Sequence, residues 1–258
     1  MKTKGKPYST HNRRLTLALA LVAGLPAAVL ASPTTLNLTV QSDTYVSSGQ
    51  PTSNFGTMGG MMIAVPTTAQ PRTEESLMRF DTASLKTSFD ATYGAGNWTV
   101  TGVTLKLFSN YPTAGQQPGN SSFNKIAAGG FEFDWLSNDS WSETGITWNT
   151  ISSVLPGTGN NALTSLGSFN WAADGSTSQT WTLNLAPDLV NDIAIGDQVT
   201  IFGQPTAGST IGYLFNTLNN NPGVLNVTVD VVPEPGSAAM LVAGLAGLAA
   251  ARRWANRK

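Results

Sequence analysis

Between residues 36 and 232 the chain alternates apolar and polar side chains in short runs, and this period of two constrains its fold more than any other feature. The clearest runs are 103–108, 180–185 and 225–231, in which every second residue is apolar. Such runs are typical of β-strands with one buried face. Further candidate strands cover 36–40, 61–65, 76–80, 131–135, 198–203 and 210–215.

Clusters of Gly, Pro, Asn and Ser separate these runs, and no linker or internal repeat interrupts them. About ten short strands in one uninterrupted span predict a single all-β domain, a two-sheet antiparallel β-sandwich of the jelly-roll type. Residues 187–193 fit one helical turn. No other helical period stands out between the two ends of the chain.

The N-terminus has the pattern of a secretory signal. Arg13 and Arg14 precede an apolar run over 15–30, and small residues lead to a cleavage site after Ala31. An uncleaved anchor is the alternative, but Pro26 interrupts the apolar run and favours cleavage. We therefore expect residues 1–31 to be a helical signal peptide that is handled by the Sec translocon.

The C-terminus carries a second short apolar run. Residues 238–251 would form a helix of about 21 Å, against a membrane hydrocarbon core of roughly 30 Å. Arg252 and Arg253 follow the run and favour a cytoplasmic end. These features predict a short transmembrane helix that retains the protein in the inner membrane only transiently.

Val232, Pro233, Glu234 and Pro235, followed by the apolar run and the basic tail, resemble the PEP-CTERM sorting signal. The resemblance implies that residues 232–258 are a sorting signal and that an exosortase processes the chain. It also implies a Gram-negative host that makes exopolysaccharide and biofilm. The expected location is the cell surface or the extracellular matrix.

The charges between the two ends are mostly negative. Residues 32–232 hold 14 acidic and 5 basic side chains, a net charge of −9, which argues against nucleic acid as a partner. The chain has no Cys, and its one His, His11, lies in the predicted leader. A Ser-His-Asp triad, a Cys nucleophile and a His- or Cys-ligated metal are therefore excluded after processing.

Two tryptophans and a carboxylate lie close together in the stretch WSETGITWNT, residues 141–150. In one interpretation Trp141 and Trp148 fill the core while Glu143, Thr147 and Asn149 order the loop, the Glu143 and Asn149 side chains accepting backbone N–H groups. In the other, the indole faces stack on sugar rings. The first interpretation is favoured.

This stretch resembles part of the DNRLRE domain, a family related to carbohydrate-binding modules. Further similar segments follow the same order as in that family: 43–46, 54–56, 75–81, 103–108 and 221–227. The resemblance covers the domain at 32–231 and implies a β-sandwich that binds polysaccharide without catalysis. Glu75 stands where that family usually has Arg, which with the acidic domain argues against polyanions such as alginate.

Sugar-binding sites commonly combine exposed aromatic rings with polar side chains. Tyr111 and Trp171 lie beside turn signals and are the first candidates, followed by Trp135 and Arg79. Packing in the core or against a loop is the alternative for each aromatic residue.

Oxygen ligands for Ca²⁺ are available, although no EF-hand spacing is present. The candidates for a structural Ca²⁺ are Asp43, Asp134, Asp139 and Glu143, and no other cofactor is expected. A glycosidase needs only two carboxylates, but Glu132 and Asp134 on one strand are more typical of a solvated face.

We therefore predict a secreted, exosortase-sorted, non-enzymatic β-sandwich that associates with polysaccharide at the cell surface or in the biofilm matrix. A structural matrix or adhesin protein that contacts other proteins is the first alternative. A carboxylate-based polysaccharide-degrading enzyme is the second.

Overall fold

The alternating runs form antiparallel strands in a computed structural model, which describes residues 32–66, 68, 71–109, 130–170, 178–209, 212–232 and 235–256. The predicted signal peptide lies outside these residues. The strands are β1 (Thr34–Thr39), β2 (Ser42–Ser47), β3 (Gly60–Ala64), β4 (Glu74–Asp81), β5 (Trp98–Phe108), β6 (Phe131–Leu136), β7 (Leu163–Phe169), β8 (Ser178–Thr182), β9 (Gln198–Pro205), β10 (Gly212–Asn216) and β11 (Val224–Val231).

The strands make two antiparallel sheets. The four-stranded sheet has the order β1-β11-β5-β8. The seven-stranded sheet has the order β10-β3-β4-β9-β6-β7, and β2 pairs with β4 beside β3. The predicted two-sheet antiparallel β-sandwich is thus confirmed, and the compact unit that contains it is Ser32–Glu234.

The main core lies between the sheets, where the inward side chains of each strand meet. Leu105 and Val227 on the four-stranded sheet are fully buried, as predicted from their alternation. On the opposing sheet Phe131 packs edge-on against Phe133, Tyr213 and Trp181, with ring centroids 5.1, 5.1 and 5.4 Å away. Edge-to-face aromatic packing of this kind fixes the orientation of neighbouring rings.

Two helices connect strands of the sandwich, and the sequence predicted only part of one. The predicted turn at 187–193 forms the first seven residues of α2 (Pro187–Ile195), which starts with Pro187 and ends at Gly196 in the left-handed conformation, φ 78°. The prediction of no further helix is wrong, because α1 occupies Ala83–Tyr93. Only Leu85 and Phe89 of α1 are buried, so its apolar stripe is too narrow to stand out in the sequence.

The C-terminal run forms helix α3 (Pro235–Ala255), 21 residues long. Among the residues described, no helix is both long enough and apolar enough to cross a membrane. The small residues Ala and Gly dominate α3, and Arg252 and Arg253 lie in its last turn. The prediction of a short transmembrane helix with transient inner-membrane retention is therefore not supported.

Candidate functional site

The side chains of β4 project alternately to the two faces of the seven-stranded sheet. Met78 and Phe80 enter the main core, whereas Glu75, Leu77 and Arg79 belong to the opposite, outer face. Leu77 is nevertheless fully buried. It belongs to a second hydrophobic cluster on the outer face, so this face is only partly open to solvent.

Residues 137–162, here called the covering segment, close one half of the outer face. The cluster beneath it combines sheet residues with residues of the segment itself: Val46, Leu77, Leu136, Trp141, Ile146, Ile151, Val154 and Phe202. Trp148 is half-buried and packs against this cluster. Burial of this apolar surface stabilises the segment on the sheet.

Arg79 fastens the covering segment to the sheet. Its Nη1 donates to the carbonyl oxygens of Asp139 and Trp141, at 2.8 and 2.9 Å, and its Nη2 donates to Ser42 Oγ at 3.1 Å. The guanidinium carbon lies 4.9 Å from the centroid of the Trp141 ring. The structure thus gives Arg79 a positioning role within the protein, and its contact with carbohydrate stays a prediction.

A second set of hydrogen bonds holds the segment from below. The Trp141 indole donates to Thr200 Oγ1 at 3.0 Å, and the Thr200 hydroxyl donates to Asp139 Oδ1 at 2.6 Å. Burial raises the pKa of Asp139 to about 6, and the charges of Asp192 and Asp197 add to this while the Thr200 hydrogen bond and Arg79 oppose it. Thr200 on β9 therefore fixes the positions of both the Trp141 indole and the Asp139 carboxyl group.

The structural interpretation of the WSETGITWNT stretch fits these contacts, but its details differ from the prediction. The amide of Asn54 donates to the carbonyl oxygens of Glu143 and Ile146, at 2.8 and 2.7 Å. The main-chain N–H of Asn149 donates to the carbonyl of Pro51 at 3.0 Å, and that of Thr147 donates to a neighbouring threonine hydroxyl. The main chain of Glu143 and Asn149 makes these bonds, where the sequence predicted their side chains.

The ring of Trp135 is not available to stack on a sugar. It is 7% exposed, belongs to the main core, and its indole donates to Asp192 Oδ2 at 2.7 Å. The sequence analysis gave 131–135 as a candidate strand, and Trp135 continues the inward alternation of Phe131 and Phe133 on β6. The other predicted aromatic candidates, Tyr111 and Trp171, lie outside the described residues.

The half of the outer face beyond the covering segment carries polar side chains. They come from four neighbouring strands, and together they are called the polar row: Glu75, Gln204, Glu132, Asp134 and Ser165. Gln204 Nε2 donates to Asp134 Oδ2 at 2.7 Å, and Ser165 Oγ donates to Glu132 Oε1 at 2.5 Å. Adjacent strands lie about 4.8 Å apart, so the row across four strands is about 14 Å long, the size of a short oligosaccharide.

Strand register brings Glu75 beside this network. Ser76 pairs with Gly203, so the preceding residue of β4 lies next to Gln204 on β9, and Gln204 pairs with Glu132 on β6. Across the other edge of β4, Glu75 pairs with Val46, a member of the covered cluster. Glu75 therefore stands at the border between the apolar half and the polar half of the face.

Burial shifts the acidity of two carboxyl groups in the row. It raises the pKa of Glu75 to about 7. Burial also raises the pKa of Asp134 to about 6, against the opposing effect of the Gln204 hydrogen bond and with an added contribution from the charge of Glu132. Such carboxyl groups accept hydrogen bonds from hydroxyl groups. A ligand that donates these bonds compensates part of the hydration that burial removes.

The four Ca²⁺ candidates do not form one site. Within the described parts of the chain, no group of three or more His, Asp or Glu residues is placed to hold a metal ion. Asp134 and Asp139 each accept a hydrogen bond from a neighbouring side chain on β9, Gln204 and Thr200. Burial raises the pKa of Asp43 to about 7, the Leu218 hydrogen bond opposes this rise, and the charge of Glu143 adds to it.

Two family models match the chain. The model of carbohydrate-binding module family 96 matches residues 34–173, just over half of the 258 residues. The matched part contains β4, β6, β7 and the covering segment, and therefore all of the polar row except Gln204. A comparison with curated proteins gives no match. The resemblance to the DNRLRE family itself stays a prediction.

The second match is the PEP-CTERM protein-sorting motif over residues 231–258. It confirms the sorting signal predicted from Val232, Pro233, Glu234 and Pro235, of which Pro233 and Glu234 lie outside the described residues. The motif implies export and association with the cell surface.

Substitution of Arg79 by Lys tests the fastening of the covering segment. Arg79→Lys keeps the charge but loses the planar pair of nitrogens that joins Asp139, Trp141 and Ser42. We expect the free energy of unfolding, measured by urea denaturation, to fall by about 1–3 kcal/mol. The reverse change Lys106→Arg, on the outer face of the other sheet, should alter it by less than about 0.5 kcal/mol. Equal effects of the two changes would contradict the assigned role.

The raised pKa of Glu75 predicts a specific pH dependence of stability. The folded state holds this proton more tightly than the unfolded chain from pH 4.5 to about 7, so the free energy of unfolding falls as the pH rises through that window. Glu75→Gln removes this contribution, and the variant should lose less stability than the wild type between pH 5 and pH 8. Urea denaturation at both values measures the difference, and parallel losses in the two proteins would refute the prediction.

Proposed function

The chain belongs to carbohydrate-binding module family 96, and on that basis we propose that its β-sandwich binds a neutral extracellular polysaccharide through the polar row. The observation that carries the proposal is the arrangement of two carboxyl groups, an amide and a hydroxyl along the open half of one sheet face, above the carboxyl group of Asp134, which is only 3% exposed and accepts a hydrogen bond from Gln204. Each of these groups forms hydrogen bonds of the kind that fix sugar hydroxyls.

Glu75 is the best-placed anchor in this row. Its carboxylate makes no hydrogen bond or ion pair with the other residues that the structure describes, although burial raises its pKa to about 7. A sugar hydroxyl that donates to this carboxylate would compensate the lost hydration. The partner of Glu75 across the strand pair, Val46, belongs to the covered apolar cluster, so Glu75 lies at the edge of that cluster.

The proposed ligand is neutral because the surroundings are negative. Residues 32–232 carry a net charge of −9, and the row itself holds Glu75, Glu132 and Asp134. A polyanion such as alginate would meet like charges along the whole row, at a cost that rises at low salt. A neutral chain meets hydrogen-bond acceptors without this repulsion.

The sorting motif supports the proposed place of action. Since it implies export and surface association, we place the binding event at the cell surface or in the biofilm matrix, after Sec-dependent export and exosortase processing. Binding without cleavage is the activity proposed, in keeping with a family of binding modules.

Polysaccharide hydrolysis is a second candidate that one observation favours. Glu75 and Asp134, both with raised pKa values, lie on strands separated only by β9 and are offset by two residues in register, so about 12 Å separates their main chains and the side chains must bridge the rest. Inverting glycosidases hold their two carboxyl groups about 6.5–9.5 Å apart. Release of reducing sugar, abolished separately by Glu75→Gln and by Asp134→Asn, would establish this activity and replace binding as the function.

Affinity electrophoresis through gels that contain a neutral glucan, a neutral galactomannan or alginate tests the binding proposal. We expect retardation on at least one neutral polysaccharide and none on alginate. Glu75→Ala should weaken that retardation about tenfold, since a hydrogen bond to a charged group contributes roughly 1.5–3 kcal/mol.

Asn37→Ala provides the matched control, because Asn37 is an exposed polar residue on the outer face of the four-stranded sheet. It should leave the retardation unchanged. Migration unaffected by every polysaccharide would reject the binding proposal and favour a matrix or adhesin protein that contacts other proteins. Equal effects of the two substitutions would reject the polar row as the binding surface.

A further inference from the structure

Strand β1 leaves one edge of the four-stranded sheet open. It pairs with β11 on one side, and no second strand pairs with it among the residues that the structure describes. Within Thr34–Thr39 there is no charged residue, no proline and no break in register. These are the features with which edge strands commonly avoid pairing with another chain. The open edge is therefore able to add a further strand.

The hydrogen-bond pattern shows which main-chain groups of β1 point outward. The N–H of Val40 donates to the carbonyl of Gly223 at 2.9 Å, one step beyond the register of β1 with β11. In an antiparallel ladder, hydrogen-bonded pairs of this kind recur at every second residue. The main-chain groups of Thr35, Asn37 and Thr39 thus face away from β11, and each residue offers one donor and one acceptor along the edge.

The side chains of β1 divide between the two faces of the sheet. Thr35, Asn37 and Thr39 are exposed on the outer face. Leu36 and Leu38 pack against the main core but stay only half-buried, because β1 is the last strand on this side of the sheet. Burial of their remaining apolar surface would stabilise a strand that pairs here.

The sequence of β1 is symmetric about Asn37. Residues 35–39 read Thr-Leu-Asn-Leu-Thr in both directions. An antiparallel pairing of two copies centred on Asn37 therefore places every side chain opposite one of the same type. A two-fold symmetric interface requires self-complementarity of this kind, because the same patch serves both subunits.

We propose that two copies of the protein pair antiparallel through β1, so that their four-stranded sheets join into one continuous sheet. Thr35 exchanges both main-chain hydrogen bonds with Thr39 of the partner subunit, and Asn37 does so with Asn37 of the partner subunit. All outward main-chain groups of the symmetric segment are thereby paired. Leu36 meets Leu38 of the partner subunit at a non-hydrogen-bonded pair, where opposing side chains lie closest.

Charge favours this edge over the rest of the surface. Residues 32–232 carry a net charge of −9, so two domains repel each other over most of their surface. Residues 32–42 contain no charged side chain, so the two edges meet without opposing like charges. The edge strand β7 of the other sheet differs, because its register breaks at Gly167 (φ 131°), and such a bulge obstructs pairing with a further strand.

The dimer goes beyond the proposed polysaccharide binding and does not depend on it. β1 belongs to the four-stranded sheet, whereas the polar row lies on the seven-stranded sheet, so the pairing uses no residue of the row. Two rows on one particle would raise the apparent affinity for a polymer. A protein that proves monomeric would leave the proposed binding surface standing.

Sedimentation equilibrium of the whole protein tests the pairing, with Asn37→Pro as the decisive variant. Proline at this position removes an outward N–H and none of the bonds to β11, so the monomer keeps its sheet. We expect a reversible wild-type dimer with a Kd of about 10–100 µM, in keeping with a small interface. Asn37→Pro should raise the Kd at least about tenfold, since each copy loses a hydrogen bond at the centre of the interface.

Thr180→Pro on β8 is the matched control, because β8 is the opposite edge of the same sheet. The Leu183 N–H donates to the carbonyl of Val103 at 2.9 Å, so by the same alternation the Thr180 N–H points away from β5. This variant should dimerise like the wild type. A wild type that stays monomeric well above the expected Kd, or a dimer that Asn37→Pro leaves unchanged, would overturn the proposal.

Two double variants serve if Asn37→Pro does not fold, and they also test the register. Thr35→Lys combined with Thr39→Lys places lysine opposite lysine in the antiparallel pair and should abolish the dimer. Thr35→Lys combined with Thr39→Asp places lysine opposite aspartate and should keep it. Equal association of the two double variants would rule out the pairing about Asn37.

Discussion

The guanidinium group of Arg79 joins three parts of the chain that are far apart in sequence, and the outer face of the seven-stranded sheet depends on that contact. By binding the carbonyls of Asp139 and Trp141 and the hydroxyl of Ser42, it holds the covering segment over Leu77 and Phe202. Without the segment, these fully buried side chains would face solvent. The segment stops partway along the sheet, and the polar row begins there.

The domain has few positive charges to compensate its carboxyl groups. Of the five basic residues between 32 and 232, Arg79 is used inside the fold and Arg72 pairs with buried Glu74 at 2.7 Å. The carboxyl groups of the outer face therefore lie in surroundings with little compensating charge, and burial raises the pKa of Glu75 and Asp134. The same imbalance favours neutral ligands over polyanions.

The sheet architecture was predictable because the period-two alternation directly marks which side chains face the core, as in 103–108 and 225–231. Helix α1 was not, because Ser and Thr occupy four of its eleven positions and three of these side chains bond to the main chain one turn earlier. Trp135 was taken as a sugar-binding candidate although it ends the candidate strand 131–135. Its inward parity with Phe131 and Phe133 was the signal that identifies it as core.

The polar row was the least predictable feature. Its residues come from β4, β6, β7 and β9, and only the order of these strands in the sheet places Glu75 beside Gln204. Local pattern does not determine strand order, so Gln204 carried no signal of its own. Glu75 did carry a signal, because this acidic residue occupies a position where the DNRLRE family usually has Arg.

Chemical-shift mapping by NMR tests the central claim most directly. A neutral oligosaccharide that the protein binds is titrated into the isotopically labelled protein, and the amide shifts are assigned. Binding through the open half of the outer face predicts the largest changes at Glu75, Glu132 and Gln204 and little change on the opposite sheet. Changes confined to Thr104 and Asn226, on the outer face of the four-stranded sheet, would contradict it.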